Sequence, residues 1–150
     1  MLIPPCALVL VQSADILLLT GLSYYTTVKG IFEKVKEHAG DIDFAVQPDL
    51  LALLSSGDFG RYADEKGEMS VCFISNNDIT GGNSGSAMFN ARGELLGLAF
   101  DGNWEAMSSD ILYEPKMQRT IGVDVRYMLF MIEKYGKAGN LIQELKIANP

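Results

Sequence analysis

The run Thr80-Gly81-Gly82-Asn83-Ser84-Gly85-Ser86 wraps a serine in glycines between two apolar stretches. A serine hydroxyl becomes a strong nucleophile only when a base takes its proton and fixed donors hold the charge growing on the attacked carbonyl. Glycine has no Cβ, so Gly82 and Gly85 let the chain turn tightly and bring amide N–H groups against a substrate carbonyl. The chemistry this pattern suggests is acyl transfer. Ser84 Oγ attacks, and the backbone N–H groups of Gly82 and Ser84 form the oxyanion hole, where one donor is worth roughly 3–4 kcal/mol. Two other readings compete. Gly/Ser/Asn clusters between strands commonly serve as plain turns. A phosphate-cradling loop is disfavoured, because no Lys follows the glycines and no helix-like run opens after them.

A nucleophilic serine needs a base, and His38 is the sole histidine. It sits in Lys34-Val35-Lys36-Glu37-His38-Ala39-Gly40, the end of a polar helix, where a His side chain interacts favourably with the helix dipole. The expectation is a surface residue rather than a base. One His with scattered carboxylates gives no ligand spacing, so neither a metal nor another cofactor is expected. Taken alone, Asp101 is a solvated carboxylate at a strand end, Gly102 is a turn residue, and Phe100 and Trp104 are core or pocket wall.

The elements around the serine are strand-like. Val71-Cys72-Phe73-Ile74 precede the loop and Ala87-Met88-Phe89 follow it. Asn90 to Glu94 then turns into Leu95–Phe100. Upstream, Ile31–His38 has helical character with Gly40 as its stop, and Pro48-Asp49 opens a short helix through Leu54. Arg61–Glu68 reads as a charged loop and Met107–Lys116 as an irregular one. Ile121, Val123 and Val125 alternate as a strand does, Arg126–Tyr135 has helical spacing, and Asn140 is placed to cap a last helix, Leu141–Ile147.

The chain's 150 residues suit one domain with a real core, and its 48% hydrophobic content is that of a globular protein. A net charge of −7 argues against nucleic acid or an anionic membrane surface as partner. Cys6 and Cys72 suggest no disulfide framework, and two free thiols are expected. Met1–Leu19 is apolar, with a small-residue site at Ser13-Ala14. It lacks the positive start of a signal peptide, since no Lys or Arg occurs before Lys29, and Pro4, Pro5 and Asp15 interrupt it as a membrane span. A targeting segment, a shifted frame and ordinary strand material all stay open for it.

Several separate motifs give the chain a specific resemblance. They are Tyr25-Thr26-Thr27-Val28-Lys29-Gly30-Ile31-Phe32-Glu33-Lys34, Asp58-Phe59-Gly60-Arg61-Tyr62-Ala63, the serine loop, Phe100-Asp101-Gly102-Asn103-Trp104-Glu105, Gln118-Arg119-Thr120-Ile121 and Asp124-Val125-Arg126-Tyr127. In this order they resemble the bacterial serine dipeptidyl-peptidases of the chymotrypsin clan, of the dipeptidyl-peptidase seven and eleven type. Ala87 departs from the pattern, standing where the family usually has Pro. The resemblance implies a mainly β fold with flanking helices: the second, C-terminal barrel of a trypsin-like double β-barrel, ending in a helix. It divides the chain into an unmatched apolar segment, 1–23, and a barrel portion, 24–150.

It further implies that Ser84 is the nucleophile, that Asp101 binds the substrate's N-terminal ammonium, and that Gly102 lines the specificity pocket. A carboxylate at a fixed distance from the nucleophile measures two residues, and a charged hydrogen bond of this kind is worth roughly 1.5–3 kcal/mol. Family members with Arg at the Gly102 position take acidic penultimate side chains, while those with Gly favour apolar ones. Burying a carboxylate without a guanidinium partner is costly. The family's triad His and Asp come from a barrel N-terminal to this region, so the chain by itself is expected to be nearly inactive. Its partners would then be peptides, and either the missing N-terminal half or a second copy. A catalytically incomplete fragment or a peptide-binding module is the alternative. By family, the compartment is the periplasm or cell surface.

Overall fold

The computed structural model describes residues 27–109 and 111–148. The expectations for segment 1–23 lie outside them. Helix α1, Val28–Glu37, carries Val28, Gly30 and Ile31 on its buried face and closes at His38. Helix α2, Pro48–Ser55, begins with proline at its first position, where the missing N–H costs nothing. Both helices fall close to where the sequence placed them. A short 3-10 helix, Gly60–Tyr62, follows α2 and overlaps the start of the expected charged loop, Arg61–Glu68.

Four strands come next: β1, Cys72–Ser75; β2, Ala87–Phe89; β3, Leu95–Gly102; and β4, Thr120–Asp124. They form one antiparallel sheet in the order β1-β4-β3-β2. The irregular segment after β3 opens with a 3-10 helix, Trp104–Ser108. Helix α3, Val125–Phe130, starts directly from β4. Asp124 caps it, accepting from the N–H of Arg126 at 2.8 Å, and grips the same residue's guanidinium at 2.7 Å. The helix continues as a π turn, Met131–Tyr135.

The last helix departs from expectation. It is α4, Gly139–Gln143, so Asn140 lies inside it and Ala138 occupies the cap position. Lys137 takes a left-handed φ of 54° just before the Ala138 cap, and the helix starts two residues earlier than an Asn140 cap allows.

The core gathers Val28 and Ile31 of α1, Leu54 of α2, Tyr62, Met69, Val71, Ile121 and Phe130. Phe130 is packed edge-on by both Phe59 and Tyr62. This core backs the β1–β4 side of the sheet, and the serine loop leaves from the opposite edge. A second correction concerns the cysteines. Cys72 is disulfide-bonded rather than a free thiol, and Cys6 lies outside the described residues.

Candidate active site

The serine loop is an extension of the β2–β3 ladder. Beyond β2, Ala99 of β3 donates to the carbonyl of Ser86 at 2.9 Å and accepts from the N–H of Gly85 at 2.7 Å. Two tight turns complete the loop: the N–H of Asn83 donates to Thr80 and that of Ser86 to Asn83, at 3.1 and 2.9 Å. Asn83 Oδ1 accepts from the N–H of Thr80 at 3.0 Å, closing the first turn from its side chain. Gly82 and Gly85 have φ of 99° and 89°, a backbone region that L side chains rarely adopt. A Cβ at either would meet nothing within 4 Å, so the glycines are required by backbone conformation and not by crowding.

Ser84 is exposed at the crown of this loop. Its Oγ donates to the carbonyl of Phe100 at 3.1 Å. Phe100 is the residue left without an opposite where β3 bulges against β4, between the pairs Ala99–Gly122 and Asp101–Ile121. Bulges of this kind re-aim the strand end beside functional sites. Among the described residues, the N–H groups of Gly82 and Ser84 take no part in the loop's hydrogen bonding. Two unspent donors therefore accompany the hydroxyl.

Asp101 follows the bulge and is exposed. Its Oδ1 accepts from the N–H of Gly102 at 2.8 Å, and among the described residues it enters no ion pair. Gly102 is crowded: an added Cβ would lie 2.9 Å from Ala106 Cβ and 3.3 Å from Ile79 Cγ2. The structure thus groups Ser84, Phe100, Asp101 and Gly102 along one strand end. His38 is engaged elsewhere. It terminates α1 and stacks on Phe44 with ring centroids 3.7 Å apart and planes 11° from parallel.

Sequence reasoning missed the residues that hold this strand end in place. Asn103, 3% exposed, donates from Nδ2 to the carbonyl of Met117 at 2.8 Å and accepts at Oδ1 from the N–H of Arg119 at 2.8 Å. Buried Gln118 donates to the Leu112 carbonyl at 3.0 Å, and Thr120 Oγ1 donates to that of Asn77 at 2.7 Å. The Arg119 guanidinium donates to the carbonyls of Pro115, Lys116 and Gln118. These residues stand in two of the motifs that carry the resemblance, but the sequence assigns them no structural role.

Electrostatic tuning lies away from the serine. The Tyr62 hydroxyl, and after it the Arg61 guanidinium, hold the Glu133 carboxyl below its ordinary range. Arg61, Tyr62, Phe89, Leu95, Arg126 and Leu145 line a groove of about 950 Å³ that includes none of the serine-site residues. Among the described residues no group of His, Cys, Asp and Glu side chains is arranged to hold a metal ion.

Comparison with known proteins places this geometry. The chain is 58% identical over 125 residues to dipeptidyl-peptidase 7 of Porphyromonas endodontalis, covering 83% of this chain and 15% of that protein. It is 49% identical over 125 residues to an Asp/Glu-specific dipeptidyl-peptidase of Capnocytophaga gingivalis, covering 83% of this chain and 17% of that one. The crystal structure of Porphyromonas endodontalis DPP11 in complex with the dipeptide Arg-Glu superimposes with a TM-score of 0.75 at 44% identity, over 82% of this chain and 17% of that one. The chain therefore spans about a sixth of the length of these relatives. Residues 20–147 match the model of the peptidase S46 family, and with the sheet and serine loop described above they establish that the chain belongs to it.

Proposed function

We propose that this chain is the nucleophile-bearing portion of a serine dipeptidyl aminopeptidase that releases N-terminal dipeptides, with an apolar penultimate residue, through an acyl-enzyme on Ser84. In that reaction Ser84 Oγ attacks the scissile carbonyl and its proton passes to a base. The N–H groups of Gly82 and Ser84 receive the oxyanion, and the leaving amine takes the proton. Water then hydrolyses the ester.

The observation that carries the reading is the seating of Ser84 Oγ on the Phe100 carbonyl, one residue before Asp101. It seats the hydroxyl beside the strand end that carries Asp101, a carboxylate in no ion pair among the described residues, and the free N–H groups of Gly82 and Ser84 lie in the same loop as the hydroxyl. Asp101 holds the substrate's ammonium and so counts two residues back from the scissile bond. Gly102 supplies no cation, so an acidic penultimate side chain would be buried unpaired. The antiparallel sheet, with its serine loop between β1 and β2, supports assignment to the second barrel of a trypsin-like double barrel. The disulfide at Cys72 supports an oxidising compartment, the periplasm or cell surface.

A second reading follows from one specific observation. Ser84 Oγ donates its hydrogen bond to the Phe100 carbonyl, and His38 is stacked on Phe44. The described residues thus contain no base at the serine, and the chain alone would be a peptide-binding module without turnover. Losing the base from a nucleophile–base unit costs about 10⁶ in rate. Base and orienting carboxylate would come from polypeptide beyond this stretch, and the apolar groove at Phe89 and Leu95 offers that polypeptide, or a second copy, a docking face.

Two experiments separate the readings. The 150-residue chain should label negligibly with a fluorophosphonate; robust labelling that Ser84→Ala abolishes would refute its inactivity. Grafting residues 24–147 into the Porphyromonas endodontalis dipeptidyl-peptidase 7 should give an enzyme that cleaves dipeptidyl reporters. If a folded graft releases no dipeptide, or if Ser84→Ala leaves release intact, the catalytic assignment is wrong.

A further inference from the structure

Among the described residues, two apolar faces are left uncovered, and they carry opposite excesses of charge. The first is the groove of about 950 Å³. Phe89, Leu95 and Leu96 at the β2–β3 hairpin and Leu145 of the segment 145–148 give it an apolar lining, and all four are exposed. Arg61, Arg92, Arg126 and Lys146 line it against Glu94 and Asp124, four cations to two acids in a chain whose net charge is −7. The three arginines are paired, with Glu133, Glu94 and Asp124. Lys146 is exposed and enters no ion pair among the described residues.

The second face is the segment 104–117, which follows the strand end that bears Asp101. Trp104, Met107, Ile111, Leu112 and Met117 are exposed there, Ile111 at 92%. In sequence the segment carries Glu105, Asp110 and Glu114 against Lys116, three acids to one cation. None of its residues lines the groove. Exposed apolar side chains grouped in this way and rimmed by charge mark an interaction surface. The shape of the segment is held from within. Buried Gln118 donates to Ser108 Oγ at 3.2 Å and to the Leu112 carbonyl at 3.0 Å, and the Tyr113 hydroxyl donates to the Asn76 carbonyl. A surface fixed beforehand loses little conformational freedom when it binds.

We propose that the groove of one copy of this chain receives the segment 104–117 of a second copy. The segment's apolar side chains cover Phe89, Leu95 and Leu96, and its acidic excess meets the cationic excess of the groove at Lys146. Charge selects this partner over a second groove, which would bring like charge against like. The contact joins two different surfaces, so each pair leaves one groove and one segment free. Association therefore continues past a two-fold dimer, into a ring or an open chain. The contact needs no catalytic role for Ser84.

Sedimentation velocity of the 150-residue chain, at concentrations up to about 100 µM so that a micromolar interface is revealed, should show species larger than a dimer. Ile111→Asp alters the segment at a position too exposed to disturb the fold, and Phe89→Asp alters the groove at 60% exposure. Each should weaken association at least ~10-fold, because the new carboxylate is buried against carbon without a partner. Mixed together, the two variants should form a 1:1 dimer, since one keeps its groove and the other its segment. Lys146→Glu and Glu114→Lys, both at exposed positions, test the charge match without touching apolar packing, and each should weaken association ~3-fold. A wild-type chain that stays monomeric overturns the inference and leaves the groove to other polypeptide. Association that Ile111→Asp leaves unchanged overturns it in favour of a groove-to-groove contact. So does a mixture of the two Asp variants that stays monomeric, or association indifferent to both charge reversals.

Discussion

Replacing Asn103 tests whether the candidate site is held by a polar clamp rather than by apolar packing. The side chain is 3% exposed and makes three hydrogen bonds: Nδ2 to Glu105 at 2.7 Å, Nδ2 to the Met117 carbonyl at 2.8 Å, and Oδ1 from the Arg119 N–H at 2.8 Å. Asn103→Ala leaves the Met117 carbonyl and the Arg119 N–H without their partner, while the Glu105 carboxylate turns to water. At about 1–3 kcal/mol for each of the two groups left unsatisfied, the cost is about 2–6 kcal/mol. For a chain of this size each kcal/mol moves Tm by roughly 2–4 °C, so unfolding followed by circular dichroism should shift down by at least roughly 4 °C and by as much as roughly 24 °C.

Asn103→Asp sharpens the test. It keeps the acceptor for Arg119 but turns two donors into a carboxylate oxygen facing the Glu105 carboxylate and the Met117 carbonyl. At neutral pH it should be less stable than Asn103→Ala. Burial beside acceptors raises the new carboxyl's folded pKa above its unfolded value. The protonated form is therefore favoured by folding, and the deficit shrinks as pH falls through that raised pKa toward the unfolded value. A Tm for Asn103→Ala within 2 °C of wild type, about the shift expected from 1 kcal/mol or less, would refute the clamp. So would an Asn103→Asp variant more stable than Asn103→Ala at pH 7.

Gly82→Ala forces a side chain onto a φ of 99° with open space around it, so it should cost about 1–3 kcal/mol from backbone strain alone, read as a Tm loss, and should also reduce dipeptide release by the grafted enzyme. Glu133 is held below its unfolded pKa first by the Tyr62 hydroxyl and then by Arg61. Its contribution is present above the unfolded carboxylate pKa and is lost as pH falls through the depressed folded value, so Glu133→Gln should flatten the loss of stability on acidification, and parallel acid-unfolding curves would contradict this. Cys72 should resist iodoacetamide in the denatured, unreduced chain and react after reduction. Reduction itself should lower stability by about 2–5 kcal/mol, measured by urea unfolding with and without reductant.

Local chemistry made some elements legible in advance. Proline at the first turn marked α2, and the glycines at 82 and 85 marked the two places where the serine loop takes positive φ. The start of α4 was misread because Asn140 offers a capping side chain, whereas the path there is set by the π turn at Met131–Tyr135 and the left-handed Lys137. No local pattern announces a π turn. The β3 bulge was hidden for a similar reason. Leu95–Phe100 reads as an uninterrupted apolar strand, and only pairing with β4 reveals that Phe100 has no opposite. The disulfide at Cys72 was hidden because a single cysteine within an apolar strand carries no spacing signal.

The motifs that carry the family resemblance divide into two physical kinds. Asn103, Gln118, Arg119, Thr120, Asp124 and Arg126 each have several partners or are buried; the first four fix backbone around the strand end that carries Asp101, and the last two fix the start of α3. Ser84 and Asp101 are exposed, and one contact each holds their side chains. Removing a member of the first kind should lower stability, as Asn103→Ala should. Ser84→Ala removes one exposed hydrogen bond, whose net worth is about 0.5–1.5 kcal/mol at most, and should leave the fold and dipeptide affinity nearly intact. The two effects are thus separable within one short stretch of chain. The residues that make the region recognisable are mostly those that build it, and the residue proposed as nucleophile is among the least needed for the fold.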